Sequence, residues 1–377
     1  MKKILFISTR NPFSSRFSGD VIGSRKIVNI LKKDNLLDIV TLSEETNISK
    51  KNIFFFKKPV ILIKIYHVIK SLILLQPMQF GLFYSSEMKK FISDKAYNYD
   101  LIFCYHIRSS QYLPKNYSGK KIIEMGDLYS DNYKQTFYNL SIFNPLKYIY
   151  LLESFFIKNV EKKIFTNFDK IILFSKSEIK KLDKSFSKKI VHINVSIDKI
   201  RKKYSFSKNN YKILFIGNLK YLPNILAVKS FAKNIMPKLK EKITNIKFEV
   251  VGEISSYDKF YLSLNKDIKC WGLQKKLDKF INGSFCGLAN LTIATGVQGK
   301  ILSYMSYGLP VICSKKVAQN FNKNILSYSD EYELINKIKK LQTDKKLSTQ
   351  ISRKSLNFVK NLTWKKIGKQ YLNIVKN

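Results

Sequence analysis

Two apolar runs, Lys3–Ser8 (KILFIS) and 212–217 (KILFIG), head two stretches of similar pattern. Each has strand length and leads through a loop into a helix-like segment, which predicts a buried parallel strand opening a Rossmann-like unit. Further apolar runs predict strands at 38–42, 100–105, 121–125, 170–175 and 190–195 in the first half. In the second half they fall at 247–252, 268–272, 286–292 and 309–314. Helical stretches lie between them, and this alternation predicts an α/β fold of parallel sheets flanked by helices. Residues 201–211 are polar and charged and read as a linker, and two helical segments, 344–360 and 364–375, close the sequence.

The densest pattern is GVQGKILSYMSYGLPVICS, residues 296–314. It predicts a helix from near Val297 with Ile301, Leu302 and Met305 at packing positions and Lys300, Ser303 and Tyr307 on another face. Gly308 stops that helix, Pro310 blocks its continuation, and Val311 to Cys313 form a short buried strand. A helix N-terminus offers unpaired N–H groups and partial positive charge, so a glycine loop followed by Lys300 suits a diphosphate. The same pattern also serves an ordinary strand–loop–helix unit.

At 377 residues and 45% apolar content the chain is long enough for two globular domains. No uncharged apolar run reaches the length of a spanning helix, and the basic, briefly apolar start reads as a first strand rather than a secretion signal. Cys104, Cys270, Cys286 and Cys313 are scattered without ligand spacing, which points to reduced thiols and a cytoplasmic setting. The formal charge is +41, carried almost wholly by lysine, because the only arginines are Arg10, Arg16, Arg25, Arg108, Arg201 and Arg353. Scarce arginine and the lack of a zinc-finger or RNP pattern argue against a nucleic-acid partner. An anionic membrane suits the excess better, and residues 52–75 mix strong hydrophobicity with Lys57, Lys58, Lys64 and Lys70. That segment reads either as a surface-lying helix or as an internal helix of the first domain.

Together these features resemble a GT-B glycosyltransferase of the retaining glycosyltransferase family 4 (group 1), in particular its exopolysaccharide-biosynthesis subgroup. The similarity is sharpest in GNLKYLPNILAVKSFAKNIMPKL (217–239) and GVQGKILSYMSYGLPV (296–311). Weaker similarity lies in PFSSRFSGDVIGSRKIVNIL (12–31), QPMQFGLFYS (76–85), YDLIFCYHIR (99–108) and EMGDLYSDNY (124–133). The resemblance implies two Rossmann-like domains whose sheets face across a cleft. Residues 1–200 would bind the acceptor and 212–360 the donor, with a last helix, 361–377, expected to pack back on the first domain. It implies retaining transfer of a sugar from a UDP- or GDP-sugar to a glycan or lipid-linked acceptor in bacterial surface polysaccharide assembly. No metal and no cofactor are expected. Peripheral contact with the inner membrane face would bring enzyme and acceptor together.

By resemblance, Gly217 and Asn218 belong to the loop that approaches phosphate, and Lys220 either adds charge there or is merely solvated. Lys300 is the firmer phosphate ligand, Gly296, Val297 and Gln298 form the helix mouth, and Trp271 and Gly272 line the nucleotide base. Thr295 and Ser303 stand where the family usually has two glutamates eight positions apart, the second of which holds the donor ribose. The neutral, shorter Ser303 predicts weaker donor binding, a shifted pose or lost activity. In the first half, Gly19 is expected at the donor diphosphate and Ser18 and Asp20 at the acceptor; a capped helix start explains the same residues. His106 and Asp127 end consecutive strands and are the catalytic candidates, although Asp127 also suits a helix cap. His67 and His192 lack such placement. The alternatives are a catalytically degenerate GT-B partner in glycan assembly and a GT-B-fold sugar-nucleotide epimerase.

Overall fold

The computed structural model describes residues 1–15, 18–44, 51–321 and 324–376. Arg16 and Phe17, within the 12–31 motif, lie outside the described residues. The chain forms two compact units, residues 1–194 with 365–377, and residues 195–364. The segment 201–211 belongs wholly to the second unit, where the Arg201 and Lys202 N–H groups donate to Ser306 O and those of Lys203 and Tyr204 to Tyr307 O.

The first unit runs β1 (Lys3–Ser8), α1 (Gly19–Leu31), β2 (Leu36–Ser43), β3 (Ile53–Lys57), α2 (Ile61–Ile73), α3 (Met78–Leu82) and α4 (Ser86–Lys95). It continues through β4 (Leu101–Tyr105), β5 (Lys120–Gly126), α5 (Tyr129–Asn139), α6 (Leu146–Asn167), β6 (Lys170–Leu173), α7 (Lys176–Ile179) and β7 (Ile190–His192). Its strands are all parallel, in the order β3-β2-β1-β4-β5-β6-β7. Side chains of β1 and β4 are buried on both faces, which is why they read as unbroken apolar runs rather than alternating ones. The expected single segment 52–75 is split: Pro59 follows β3, cannot donate to a ladder, and separates the edge strand from α2.

The second unit runs β8 (Lys212–Ile216), α8 (Leu222–Ser230), α9 (Met236–Lys242), β9 (Lys247–Val251), α10 (Ser256–Ser263), β10 (Ile268–Cys270) and α11 (Asp278–Ile281). It continues through β11 (Ser284–Ala289), α12 (Gly299–Tyr307), β12 (Val311–Ser314), α13 (Lys315–Ala318), β13 (Leu326–Tyr328), α14 (Glu331–Thr343) and α15 (Lys345–Val359). Its parallel order is β10-β9-β8-β11-β12-β13. A widened turn, Phe231–Ile235, joins α8 to α9, and Pro237 just beyond it lacks the N–H that an α-helical register would use.

In both sheets the strand order reverses beside the first strand, between β1 and β4 and between β8 and β11. Ligands of open α/β sheets bind at the carboxyl ends of strands around that reversal. The last helix, α16 (Trp364–Lys376), packs into the first unit from Lys365 onward. Tyr371 on it donates to the buried Glu124 Oε2 (2.5 Å). The Lys2 and Lys120 ammonium groups bond the carbonyls of Val375, Lys376 and Ile374, satisfying the acceptors a helix leaves open at its end.

Candidate active site

The second unit builds its site from three strand ends. Gly217, Gly252 and Gly272 follow the neighbouring strands β8, β9 and β10. The Gly217 N–H donates to Val251 O and the Gly252 N–H to Gly272 O, both at 2.9 Å. A Cβ on Gly252 would lie 1.7 Å from Gly217 O, and its φ of 151° is one that side chains avoid, so only glycine fits. The loop Gly217–Asn218 is thereby drawn tight against the sheet, with Asn224 of α8 and Lys300 of α12 lying against Gly217.

Into this loop α12 delivers Lys300. Tyr304, one turn further on, accepts the Ile216 N–H (2.7 Å), donates to Leu288 O (3.3 Å) and packs where Gly287 leaves room. That bridge fixes the helix over β8 and β11 and sets the Lys300 ammonium 4.1 Å from the centre of the Phe215 ring. Its hydrogen-bond partner is the neutral Asn224 Oδ1 (2.6 Å), and Asn224 in turn donates to Asn218 O (2.8 Å). Desolvation brings the Lys300 pKa down to about 7, with no carboxylate to hold it up. A cation placed in dry surroundings without its own anion is prepared for one that arrives.

The other donor-side residues sort around this centre. Gly296 has a left-handed φ of 66° and its carbonyl accepts from Asn320; Val297 packs on the core, and Gln298 Nε2 bonds Thr295 O (3.0 Å). The helix begins at Gly299 rather than Val297, because residues 295–298 are spent on this turn. Ser303 is half-buried and its hydroxyl bonds Gly299 O of its own helix (3.2 Å). Lys220 is ion-paired with Glu253 (2.7 Å), which also accepts from Asn218 Nδ2 (3.3 Å). Trp271 stands edge-on to Phe280, lies 3.9 Å beneath the Lys269 ammonium, and keeps a buried indole N–H with no hydrogen-bond partner among the described residues. Gly272 has open space around its Cα.

In the first unit, Ser18 occupies the cap position of α1 in extended conformation but makes no side-chain cap bond, and Gly19 faces open space. Asp20 pairs with Arg10. Burial works to raise the Asp20 carboxyl, but the Arg10 guanidinium, the Ser18 hydroxyl and His106 outweigh it and hold it below the ordinary value. Tyr105 ties this loop to β4 by donating to Asp20 O (2.9 Å). His106 takes a left-handed φ of 65° directly after β4, with its N–H bonded to Glu124 O and its Nδ1 3.0 Å from the Tyr129 hydroxyl. Burial lowers its pKa to about 4, assisted by the Arg108 charge, so the imidazole is neutral at pH 7. Arg108 donates to Gln79 Oε1 (2.9 Å) and lies 4.5 Å from the Phe83 ring, which Arg10 also approaches.

Asp127 lies near enough to Glu124 and Tyr129 to act on the charge of both. It does not occupy the cap position of α5, which falls to Leu128. The free N–H groups there are taken by Glu178, bonded to Leu128 N, and by Glu161, bonded to Ser130 N and Oγ. Ser18, Gly19, Asp20 and His106 thus gather at the β1–β4 reversal. Gly217, Asn218 and Lys300 gather at β8, while the Ser303 hydroxyl is bonded within its own helix. Sequence reading missed Asn224, Gly252, Glu253, Arg10 and Arg108. Gly252 carried a usable signal, since it ends a strand-length apolar run just as Gly217 does.

Several solved structures share this architecture. The Anabaena Alr3699/HepE structure with UDP and glucose superposes with a TM-score of 0.67 at 14% identity over 100% of both chains. TarM of S. aureus gives 0.67 at 12% identity, over 100% of this chain and 99% of that one. WaaG, described as a glycosyltransferase involved in lipopolysaccharide biosynthesis, gives 0.66 at 11% over 99% and 100%. No curated protein matches the chain by sequence. The fold is therefore GT-B, an α/β arrangement of two Rossmann-like units. Residues 210–344, which contain the Gly217 loop and α12, match the family of glycosyl transferases group 1, and this region of the chain is of that type.

Proposed function

We propose that the chain is a retaining, metal-independent glycosyltransferase that moves a sugar from a UDP- or GDP-sugar to a glycan or lipid-linked acceptor in surface polysaccharide assembly. The observation that carries this reading is the desolvated Lys300 ammonium, held by a neutral amide beside the Gly217 loop. In the transfer, the bond from the anomeric carbon to the diphosphate oxygen breaks and the acceptor oxygen forms its bond on the same face. The acceptor proton passes to the departing phosphate. Negative charge grows on the diphosphate as it leaves, and a pre-placed ammonium and backbone N–H groups stabilise that change without reorganising. Neighbouring structures hold UDP with glucose and UDP-glucose, which supports a nucleotide-sugar donor here. Asp20, His106 and Asp127 would orient the acceptor, and a neutral His106 can accept a proton in a hydrogen bond from a sugar hydroxyl. Peripheral association with an anionic membrane on the cytoplasmic side belongs to the same reading. Among the described residues no helix is long and apolar enough to cross a membrane.

A panel of UDP- and GDP-sugars, read by mass spectrometry of released nucleoside diphosphate, tests the proposal. Turnover is expected with at least one donor, and Lys300→Ala is expected to lower it by at least about 100-fold. Ser303→Glu should preserve or raise it, because a carboxylate binds ribose hydroxyls more strongly than serine. Unchanged turnover in Lys300→Ala would remove the donor assignment. No saturable binding of any donor would instead favour a non-catalytic partner, the reading that the self-bonded Ser303 supports.

A further inference from the structure

We infer that α2 and the corner between α5 and α6 form a two-part platform that docks on an anionic lipid surface. This deepens the membrane part of the proposed function by assigning residues and a second anchor, and it stands apart from the sugar chemistry.

α2 is an inside-out amphipathic helix. Its protein-facing positions are Lys64, His67, Val68, Ser71 and Leu72, at the three- and four-residue steps of one helical face. The polar residues among them face inward, while Ile61, Leu62, Ile65, Tyr66, Ile69 and Ile73 face out. Leu62 and Ile73 each keep 75% of their surface exposed. A surface helix of a globular protein does the reverse, burying its apolar stripe against the core. The placement is enforced, because a Cβ on Gly81 would lie 2.4 Å from His67 O, so α3 grips α2 on that polar face.

The second part repeats the inversion. At the start of α6, Leu146, Ile149, Leu152 and Phe155 recur every three residues and are exposed, whereas Glu153 and Ser154 point inward. Glu153 accepts from the Met78 and Gln79 N–H groups at the start of α3, so α3 supports both apolar faces. Phe143, in the turn before α6, is 92% exposed. Two apolar faces, each tied to the same short helix, exceed what scattered surface residues explain.

Charge decides the occupant. Residues 51–86 and 132–152 contain no aspartate or glutamate, while the first window alone holds the exposed Lys51, Lys57 and Lys70. A second copy of this chain would bring the same lysines and no carboxylates to such a face, whereas anionic headgroups complement them. At about 1.5 Å per residue, α2 is roughly 20 Å long, short of the roughly 30 Å hydrocarbon core, so it lies in the interface rather than across it.

The test is flotation of the full chain with vesicles of phosphatidylcholine alone or with roughly one-third phosphatidylglycerol, with UDP binding measured in parallel. The parent protein should prefer the anionic vesicles by about tenfold or more, and Leu62→Glu with Ile69→Glu should lose at least about tenfold of that binding. Phe143→Glu with Ile149→Glu should lose several-fold. Leu264→Glu, at an equally exposed position in the second unit, should lose none. All four changed platform residues are exposed, so melting temperatures should hold. Failure of the parent to bind either vesicle, or equal binding by platform and control variants, would overturn the inference. A parent dimer in light scattering that Leu62→Glu dissociates would assign the face to a second copy and overturn it as well. Lost flotation with intact UDP binding removes only the platform; intact flotation without UDP binding removes only the donor reading.

Discussion

The carboxyl ends of the two sheets are built on one plan but differ in how they pair their charges. At the β1–β4 reversal the cationic Arg10 has an anion of its own in Asp20, and the buried His106 is neutral. At β8, Lys300 has, among the described residues, only the Asn224 amide and an aromatic face. The first site pairs Arg10 but leaves Arg108 on the neutral Gln79 amide and the Phe83 ring, and its neutral imidazole suits the hydroxyls of a sugar acceptor. A site that leaves a desolvated cation unmatched suits a ligand that brings two phosphates.

The contrast breaks most severely at Gly252. Gly252→Ala places a methyl against Gly217 O and forces an L-residue into a glycine conformation, so a loss of about 4 kcal/mol is expected. Chemical denaturation monitored through the second unit's Trp271 should show it, and a variant as stable as the parent would mean that the three glycine ends are not closely packed. The first unit gives a smaller, pH-dependent effect. An unfolded glutamate titrates near 4.5, while burial raises Glu124 to about 8, so the folded state holds an extra proton between these values. Its contribution is full below 4.5 and is lost as pH rises through 8. From pH 6 to 9 this amounts to about 3 kcal/mol, or roughly 8 °C of melting temperature. Glu161, raised to about 7, adds a slope of the same sign, so Glu124→Gln should flatten the profile only in part. A variant profile parallel to that of the parent would contradict a protonated Glu124.

The smallest signal sharpens the comparison on the other side. With Lys300 titrating at about 7, UDP binding at pH 8 should draw a proton from buffer, approaching one per nucleotide, and much less at pH 6. Calorimetry in buffers of different ionisation enthalpy measures this uptake, which Lys300→Ala should abolish. Uptake that survives the substitution would place the titrating group elsewhere.

The strand framework was legible because parallel strands covered on both faces produce continuous apolar runs, as in β1, β4 and β8. Short edge strands were not: β3 merged into the apolar stretch with α2, and β13 has only three residues, all partly exposed. Lys300 could be picked out because a glycine loop and helical spacing precede it, and Gly217 because it ends an apolar run. Asn224 and Glu253 could not, since their roles come from the meeting of α8 with α12 and of the ends of β8 and β9, contacts that no local pattern encodes. Arg10 and Arg108 are 98 positions apart and converge only on the Phe83 ring. The inversion of α2 was equally hidden. Period shows that a helix has two faces, but not which one meets the core.

The return of the last helix to the first unit has a bearing on synthesis. A ribosome must add 170 further residues, 195–364, before the segment bearing Tyr371 emerges. Until then Glu124 lacks the Tyr371 hydroxyl, and the surface that Ile367, Gly368 and Val375 bury against is uncovered. The amino-terminal unit is therefore begun first and completed last, and a nascent chain stalled in between exposes a surface that chaperones recognise.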